Sequence, residues 1–498
     1  MSVETGEKFT QQLEYNLANR SHTSDFDMAA ETEAVLNSVG ASTADSGGAL
    51  SFYGKDPIVP SVVRFGAMAA VAMAAKSTMI ASIWKDRTGR AQDIHVDVRK
   101  ALRRFSPFID RRWELVNGYD GGIYTEPDTP FFGTFYQTKD GKWVLPTNFY
   151  PRLHRDAGAF LGVPSTEEAV ARAIKGWDGE ALEEAGNAAG IVMPLGRSLD
   201  QILGMDVFQQ GLRDQPLISV EKIADSDPVP FTANPQDPLS GIRALGSAHV
   251  IAGPSIGRAL ALHGADVLNV WAPEDWEHNV FLYTSHVGSR SAMLDIKKAE
   301  ARAKFMELVA GADVFYANRR PGVLERHGLT AEELCAVRPG LVHTSIVYAN
   351  ETGPWSKRVG FDVSTGLTMG LFHLEGTEER PTPPPIQVVN DYVAGWLATV
   401  GILQALKRRA TEGGSYKVVV SLSKVTLWLM SMGIFDKSYA QATAGSDDEH
   451  TYVDPDQFTA MTPMGLYTGV TEQVVMSDTP GSYRFVMEPR GSAEPKWL

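Results

Sequence analysis

Between residues 241 and 347 the chain alternates short apolar segments of strand type with helical segments. The first unit has a strand at 241–245, a helix at 255–263 and a second strand at 265–270. Its length of about 30 residues is that of a parallel strand–helix–strand crossover. Further strands are expected at 292–296, 313–316 and 341–347, with helices at 298–310 and 331–337. The pattern predicts an α/β fold with a doubly wound, Rossmann-like parallel sheet.

The ligand of this predicted domain is indicated by its turns. Residues 252–257 have no G-x-G-x-x-G fingerprint, and the second strand ends in Trp271 instead of an acidic residue, so a nicotinamide dinucleotide is weakly indicated. The loop after the fourth strand carries Arg319, Arg320 and Arg326. Guanidinium groups there predict either a phosphate and adenine site or a solvated basic loop.

A single acidic residue stands where a loop becomes a helix. The Pro-rich segment 381–385 precedes it, and helical spacing runs from Asp391 to Arg409. The free N–H groups and the positive dipole end of a helix start are expected to hold the Asp391 carboxylate ionised. An N-cap without further function is the simpler interpretation of this residue.

Composition limits the partners. The net charge of −14 and the pI near 5.3 argue against nucleic acid, and one cysteine, Cys335, excludes an intrachain disulfide and fits a reducing compartment. The apolar run 65–83 contains Lys76 and is expected to form a buried helix, with no membrane partner. His95 lacks neighbours at metal-ligand spacing, so no metal site is predicted. We expect a soluble cytoplasmic protein.

Several motifs then point to a family. In order they are Pro238–Arg243, His249–Pro254, Leu262–Val267, Ser289–Asp295, Ala312–Leu329 and Gly353-Pro354. Residues 238 to about 425 resemble the amino-terminal half of class III CoA-transferases of the CaiB/BaiF type, which include formyl-CoA transferase, carnitine CoA-transferase and α-methylacyl-CoA racemase. The resemblance implies a Rossmann-like domain and a smaller α+β domain in the interlocked architecture of that family. It also implies that Asp391 is the catalytic nucleophile.

The resemblance assigns further roles residue by residue. The residues assigned to coenzyme A are Val250, Ala252, Arg290, Asn318, Arg319 and Arg326, and those assigned to the acyl substrate are Ile251 and Tyr348. Val250 and Ala252 would act through their backbone, whereas Ile251 departs from the polar side chain frequent in the transferases. Coenzyme A and acyl-CoA would be substrates, and no permanently bound cofactor is expected.

The first half resembles the same family out of order. Helix and strand at 62–98 look like a second version of 391–422, with Ala67 at the place of Asp391. The resulting segments are a polar lead-in with few elements (1–60), a partial first copy with the small domain and a Pro-rich linker (61–237), the CoA-binding catalytic domain (238–440) and a return segment (441–498). One CoA site per chain follows, in a chain that can pair as a homodimer.

Three functions remain open from the sequence. The first is transfer of CoA from an acyl-CoA to a carboxylic acid through covalent aspartyl intermediates, with helix-terminal N–H groups stabilising the oxyanion. The second is racemisation or isomerisation of an acyl-CoA, which requires a second base where this chain has Phe361. The third is CoA binding without turnover, suggested by the altered residues Ile251 and Trp271.

Overall fold

A seven-stranded sheet forms the centre of the computed structural model, which describes residues 3–105, 107–122, 130–377 and 379–498. The strands, numbered in chain order, are β1 (Gly47–Tyr53), β2 (Gln92–Asp97), β3 (Leu115–Val116), β4 (Tyr136–Gln137), β5 (Trp143–Val144), β6 (Ser219–Ala224), β7 (Arg243–Ser247), β8 (Asp266–Trp271), β9 (Arg290–Met293), β10 (Val314–Ala317), β11 (Val342–Val347), β12 (Ser415–Ser421), β13 (Gln457–Thr462), β14 (Gly465–Val470) and β15 (Val474–Met476).

Helices surround this sheet. They are α1 (Val3–Ala18), α2 (Met28–Asn37), α3 (Phe65–Thr88), α4 (Val98–Phe105), α5 (Pro151–Leu161), α6 (Glu167–Ile174), α7 (Gly179–Ala188), α8 (Leu199–Leu203), α9 (Ala252–Leu262), α10 (Asn279–Ser285), α11 (Ala299–Ala310), α12 (Val323–Arg326), α13 (Ala331–Val337), α14 (Asp362–Thr368), α15 (Leu371–Glu375), α16 (Asp391–Glu412), α17 (Leu422–Ser431) and α18 (Lys437–Thr443). A 3-10 turn at Thr43–Ser46 and a π-turn at Phe208–Leu212 complete the described elements.

The large sheet has the order β6-β12-β11-β10-β7-β8-β9. All neighbours in it are parallel except β6, which runs antiparallel to β12. All four residues of β10 are buried, as expected for a parallel strand covered on both faces. Each strand and helix predicted between residues 241 and 347 is present with ends shifted by a few residues. The predicted α/β class is therefore confirmed.

Two apolar layers enclose the sheet. On one face α9 and α16 pack against the strands, and α3 packs on α16. On the other face Phe305 and Leu308 of α11 share a core with Leu334 and Cys335 of α13. Burial raises the pKa of the Cys335 thiol to about 11, so this residue is a packed, neutral thiol as predicted.

The first sixty residues are more regular than their composition indicates. Helix α1 packs against α17, α2 packs on α3, and β1 pairs in parallel with β2. Leu13, Val35 and Leu36 are buried in the main core. The prediction of a lead-in with few elements is wrong, because a few well-spaced apolar residues suffice to attach these helices to a large core.

Two helix–strand–helix units have the same neighbours. In the first unit, α3–β2–α4, strand β2 lies between parallel β1 and antiparallel β15. In the second unit, α16–β12–α17, strand β12 lies between parallel β11 and antiparallel β6. The two long helices α3 and α16 pack against each other. The chain thus repeats one arrangement, but only the second copy belongs to the large sheet.

A smaller α+β unit lies beside the large sheet. It combines the β4–β5 hairpin with helices α5, α6 and α7 around a core of its own. That core contains Leu153, Val170, Leu182 and Met193, and the short loop before α5 faces the large sheet. The predicted hairpin and the helices after it are present.

Helix α3 is long and apolar enough to cross a membrane by length and composition, and its most apolar window is completely buried in the protein. Lys76 in the middle of this helix is fully buried and forms an ion pair with Glu472. Close by, Glu114 contacts Arg104 at 3.4 Å and Arg258 at 3.2 Å. We call these five residues the buried ionic cluster. It joins the first unit to the second half of the chain.

Candidate active site

A cleft of about 1430 Å³ opens at the carboxyl-end edge of the parallel strands. Loops that follow β7, β8, β10 and β11 form one wall, and the start of α5 and Gly190 of the smaller unit form the other. In an open α/β sheet this edge is where ligands bind, because successive loops converge there. Asp391 and Leu422 line the cleft together with Arg326 and Tyr348.

Asp391 is the first residue of α16 and does not cap it. The N-cap position belongs to Asn390, whose amide nitrogen donates to Leu422 O at 2.7 Å and Thr426 Oγ1 at 2.6 Å. The Asp391 side chain has no hydrogen bond among the described residues, although the residue is only 7% exposed. The N-cap interpretation is therefore wrong, and the carboxylate is left facing the cleft.

A second carboxylate supports the start of this helix. Asp362 accepts hydrogen bonds from the backbone N–H groups of Val389 and Asn390, both at 2.8 Å, and of Asp391 at 3.2 Å. Asp362 is itself the first residue of α14 and is buried. The role of Asp362 was not predicted from the sequence, where only its neighbour Phe361 was considered, as the position of a second base.

The two carboxylates affect each other's protonation. Burial and then the charge of Asp362 raise the pKa of Asp391 well above its usual value. Burial also raises the pKa of Asp362, against the three N–H groups that favour its ionised form. Burial and the neighbouring carboxylate therefore favour the protonated form of Asp391. The expectation that the helix start keeps Asp391 ionised is wrong, because Asp362 already accepts those N–H groups.

The hydrogen bonds to Asp362 limit which N–H groups of the helix start can stabilise an oxyanion. The N–H groups of Asn390 and Asp391 are used by Asp362. In the part of the chain that the structure describes, the N–H groups of Tyr392 and Val393 have no hydrogen-bond acceptor. These two remain the helix-terminal donors of α16.

Aromatic side chains line the same cleft as Asp391. The Tyr348 hydroxyl lies 2.9 Å from Thr368 Oγ1, and burial raises the pKa of Tyr348 to about 12. A Cβ at Gly360 would come within 2.1 Å of the Tyr348 ring, so glycine is required there. The Phe361 ring stacks in parallel on Tyr150, with centroids 6.0 Å apart. Tyr348 thus lines the cleft, and its role at the acyl substrate stays a prediction.

Ile251 does not reach the cleft wall. It is the N-cap of α9 and lies in the main core, 3% exposed, whereas its neighbours Val250 and Ala252 line the cleft. The substrate-binding role predicted for its side chain is not supported by this position. The φ of +61° at Val250 turns the chain there, so the apolar side chain of the next residue packs inward.

The backbone of Val250 is already engaged. Its N–H donates to Glu277 Oε2 at 2.7 Å, and its carbonyl accepts from Ser285 Oγ at 2.6 Å. Ala252, the first residue of α9, keeps an N–H without an acceptor among the described residues. Of the two predicted backbone contacts to coenzyme A, only the one from Ala252 has its donor available.

Asn318 and Arg319 line the cleft but also fix its loops. Asn318 accepts from the N–H of His249 at 3.0 Å and donates to its carbonyl at 2.8 Å. Arg319 binds Asp275 through both terminal nitrogens, at 3.2 and 3.0 Å, and donates from Nε to Ser247 O at 3.1 Å. These side chains shape the site, and their donor groups are committed.

Arg290 lies elsewhere. Its guanidinium donates to Asp266 Oδ1 at 2.7 Å and to Lys496 O at 2.9 Å, and the residue does not line the cleft. The predicted phosphate role of Arg290 is therefore wrong, because Asp266 on the neighbouring strand neutralises its charge.

Uncommitted cationic groups occur at the outer end of the cleft. The side chain of Arg326 has no hydrogen bond or ion pair within the described ranges, and Arg320 uses one nitrogen to donate to Gly190 O at 2.9 Å. Arg152 and Arg155 of α5 are highly exposed and share Asp156. This end is suited to an anionic group such as a phosphate.

A polar network around Glu277 was not predicted from the sequence. Glu277 is buried and accepts the Tyr150 hydroxyl at 2.5 Å, and His249 Nε2 lies 3.2 Å from Asp275 Oδ2. Burial opposes ionisation of Glu277, but His249, Tyr150 and the Val250 N–H outweigh it and hold its pKa below the usual value. The acidic run after β8, at the carboxyl end of a parallel strand, was the available signal. No group of side chains in the described ranges has the composition of a metal site.

Comparisons with known proteins find partial similarity to CoA-transferases. Residues 239–479 match the family model described as CoA-transferase family III. Acetyl-coenzyme A transferase nodX of Hypoxylon pulicicidum is 32% identical over 234 residues, which are 45% of this chain and 37% of that protein. The succinyl-CoA–L-malate CoA-transferase alpha subunit of Chloroflexus aurantiacus is 31% identical over 242 residues, 44% of this chain and 56% of that subunit.

Solved structures with partial similarity include a hypothetical protein, Rv3272, of Mycobacterium tuberculosis, with 28% identity, a TM-score of 0.36 and coverage of 40% of this chain and 58% of that one. A CaiB/BaiF family protein of Brucella suis has 25% identity, a TM-score of 0.34 and coverage of 46% and 65%. The chain therefore spans about half the length of the curated relatives that it matches. Residues 239–479, which match the model of CoA-transferase family III, include Asp391 and most of the residues that line the cleft.

Proposed function

We propose that this chain is a CoA-transferase that moves coenzyme A from an acyl-CoA to a carboxylic acid through covalent intermediates on Asp391. The observation that carries the proposal is the Asp391 carboxylate. It is buried, lacks a hydrogen bond among the described residues, and lines the cleft within the region that matches the family.

The proposed chemistry begins with attack by the ionised Asp391 carboxylate on the thioester carbonyl of the donor. The new bond joins an Asp391 oxygen to the acyl carbon, the C–S bond breaks, and the CoA thiolate leaves. The thiolate then attacks the Asp391 carbonyl carbon and releases the donor acid, which leaves an aspartyl-CoA thioester. The acceptor carboxylate then attacks the aspartyl-CoA thioester, which forms an anhydride with Asp391 and releases the CoA thiolate. The thiolate attacks the acceptor's carbonyl carbon in this anhydride, so that Asp391 is regenerated and the acceptor leaves as its thioester.

The raised pKa of Asp391 fits such a nucleophile. A carboxylate that is poorly solvated attacks more readily than one that holds several hydrogen bonds, once its proton has been lost. The N–H groups of Tyr392 and Val393 are the helix-terminal candidates to stabilise the oxyanion, each worth about 3 kcal/mol in comparable sites. The phosphates of coenzyme A would lie toward Arg320 and Arg326.

The alternative of racemisation is not favoured. A two-base mechanism needs a proton carrier opposite Asp391, and the Phe361 ring, stacked on Tyr150, cannot carry a proton. Binding without turnover is also not favoured. A buried carboxylate without hydrogen bonds lowers stability, and a protein that only binds CoA would have no use for one at this place.

The test is mass spectrometry of the protein after incubation with a panel of acyl-CoA thioesters. We expect a CoA adduct on a peptide containing Asp391, and no adduct on the same peptide of Asp391→Asn. Binding of acyl-CoA without any adduct or transfer would favour the non-catalytic alternative. Exchange of the α-proton with solvent, without transfer, would favour the racemase.

A further inference from the structure

Part of the cleft that Asp391 lines is apolar or aromatic. Five of the lining side chains, Tyr150, Tyr348, Trp355, Phe361 and Leu422, make up what we call the acyl chamber. Phe361 precedes Asp362, which accepts the Asp391 N–H, and Asn390, which precedes Asp391, donates to Leu422 O at 2.7 Å. The chamber therefore adjoins the carboxylate that would carry the acyl group.

The hydroxyl groups in this chamber are already used. Tyr150 donates to Glu277 at 2.5 Å, and the Tyr348 hydroxyl pairs with Thr368 Oγ1 at 2.9 Å. Of the remaining three residues, Phe361 and Leu422 present only carbon surface, and Trp355 adds one indole N–H donor. A polar acyl group would thus find few free donors.

The cations beside the chamber are committed to protein carboxylates. Arg358 contacts Glu183 at 2.7 Å and also pairs with Glu184, while its guanidinium lies 4.0 Å from the Trp355 ring centroid. Lys417 pairs with Glu351. A second carboxylate on the acyl group would have to share these cations with their protein partners.

The fixed charge near the chamber is negative. Asp362 accepts three N–H groups, which favour its ionised form, and the pKa of Glu277 is held below its usual value. The uncommitted arginine, Arg326, belongs to the outer end of the cleft. A carboxylate at the far end of an acyl chain would be repelled by these groups and would lose its water.

We propose that the acyl chamber selects branched or aromatic monocarboxylic acids, as donor or acceptor, and rejects dicarboxylic acids. This selection distinguishes the chain from a relative whose name specifies succinyl-CoA and malate. The inference rests on the proposed transferase function. Phe361 and Trp355 are its specificity-determining residues, because they form the wall that a second carboxylate would meet.

The experiment compares two thioesters of equal shape, succinyl-CoA and 4-methylpentanoyl-CoA, in which two methyl groups replace the two carboxylate oxygens. The rate of adduct formation at Asp391 is measured for each by mass spectrometry. We expect the methyl compound to react at least about 100-fold faster, because an unpaired carboxylate in an apolar site is strongly disfavoured. Phenylacetyl-CoA should also react.

A variant sharpens the result. Phe361→Arg places a cation in the chamber and is expected to reduce the preference for the methyl compound at least about tenfold, whereas the matched change Phe361→Met should preserve it. Equal rates for the two thioesters in the unmodified protein, or faster reaction of succinyl-CoA, would overturn the inference and leave the proposed function intact. Absence of an adduct from every thioester would contradict the proposed function itself.

Discussion

The two helix–strand–helix units have one device in common at the start of their long helices. In the first unit Asp56 accepts the N–H groups of Gly66 at 3.2 Å and Ala67 at 2.7 Å. In the second unit Asp362 accepts those of Asn390 and Asp391. Aligning the two acceptors places Ala67 opposite Asp391. A buried carboxylate that binds a helix start is therefore a structural feature of both units, and the additional acid occurs in the second.

The surroundings of the two helix starts differ. At the first, Arg64 donates to Met432 O at 3.2 Å and lies 4.3 Å from the Phe435 ring centroid, so that the end of α3 is covered. At the second, Asp391 lines the cleft. The comparison teaches that the scaffold alone does not make a site. A site needs both the carboxylate and an open path to it.

The largest expected effect is loss of CoA transfer, which tests whether only the second unit is catalytic. Asp391→Ala should lower the rate of CoA transfer at least about 10⁴-fold, because the proposed nucleophile is lost while no hydrogen bond of the fold is removed. Affinity for CoA, measured by calorimetry, should change little. Ala67→Asp, the converse change in the first unit, should not restore transfer to the Asp391→Ala protein. Transfer at the original rate in Asp391→Ala would show that the nucleophile is another residue.

The second prediction breaks the ion pair that joins the first unit to the second half of the chain. Glu472→Gln removes the carboxylate that pairs with the fully buried Lys76, and an unpaired buried charge costs about 3–5 kcal/mol of unfolding free energy. Chemical denaturation should detect this loss. Glu412→Gln, in the more exposed pair with Arg408, should change stability by less than about 0.5 kcal/mol. Equal losses in both variants would mean that the buried ionic cluster does not stabilise the attachment of the first unit to the second half of the chain.

The third prediction concerns the open end of the second unit. Arg326→Ala should weaken CoA binding about tenfold and reduce its dependence on salt, because a free guanidinium is lost from the proposed phosphate end. Lys304→Ala, on the outer helix α11, serves as the matched removal of a positive charge. Calorimetry that finds the same affinity in both variants would move the phosphates away from Arg326.

The smallest expected effect is a shift of the pH profile, which compares the two carboxylates, Asp362 and Asp56, that accept the N–H groups of the helix starts. Asp362→Asn removes the charge that helps to raise the pKa of Asp391, so that pKa should fall. Because attack requires the ionised carboxylate, kcat/KM rises with pH through this pKa, and its acidic limb should move to lower pH in the variant. Asp56→Asn makes the same change in the first unit. Both variants should lose about 1–3 kcal/mol of stability, but only Asp362→Asn should shift the pH profile. An unshifted profile would limit Asp362 to a structural role.

Much of the fold was accessible from the sequence, for physical reasons that the elements illustrate. Parallel strands such as β10 are buried on both faces, so their apolar runs stand out, and α16 shows the spacing of a buried helix. The attachment of α1 and α2 was missed because it depends on a few residues, such as Leu13, that meet a distant core.

The candidate site was predictable in part. Asp391 and Tyr348 were identified from local pattern and family resemblance, and both line the cleft. The pairing of Asp391 with Asp362 depends on how a long loop returns to the helix start, which no local pattern encodes. The ion pair of Arg290 with Asp266 joins neighbouring strands and could not be inferred from charge alone.

The measurement that tests the central claim most directly is the number and position of covalent adducts per chain. The protein is trapped during turnover with borohydride or hydroxylamine, digested and mapped by mass spectrometry. We predict one labelled carboxylate per chain, at Asp391, because the first unit offers Ala67 at that place. A label within residues 47–105, or two labelled carboxylates per chain, would contradict the account.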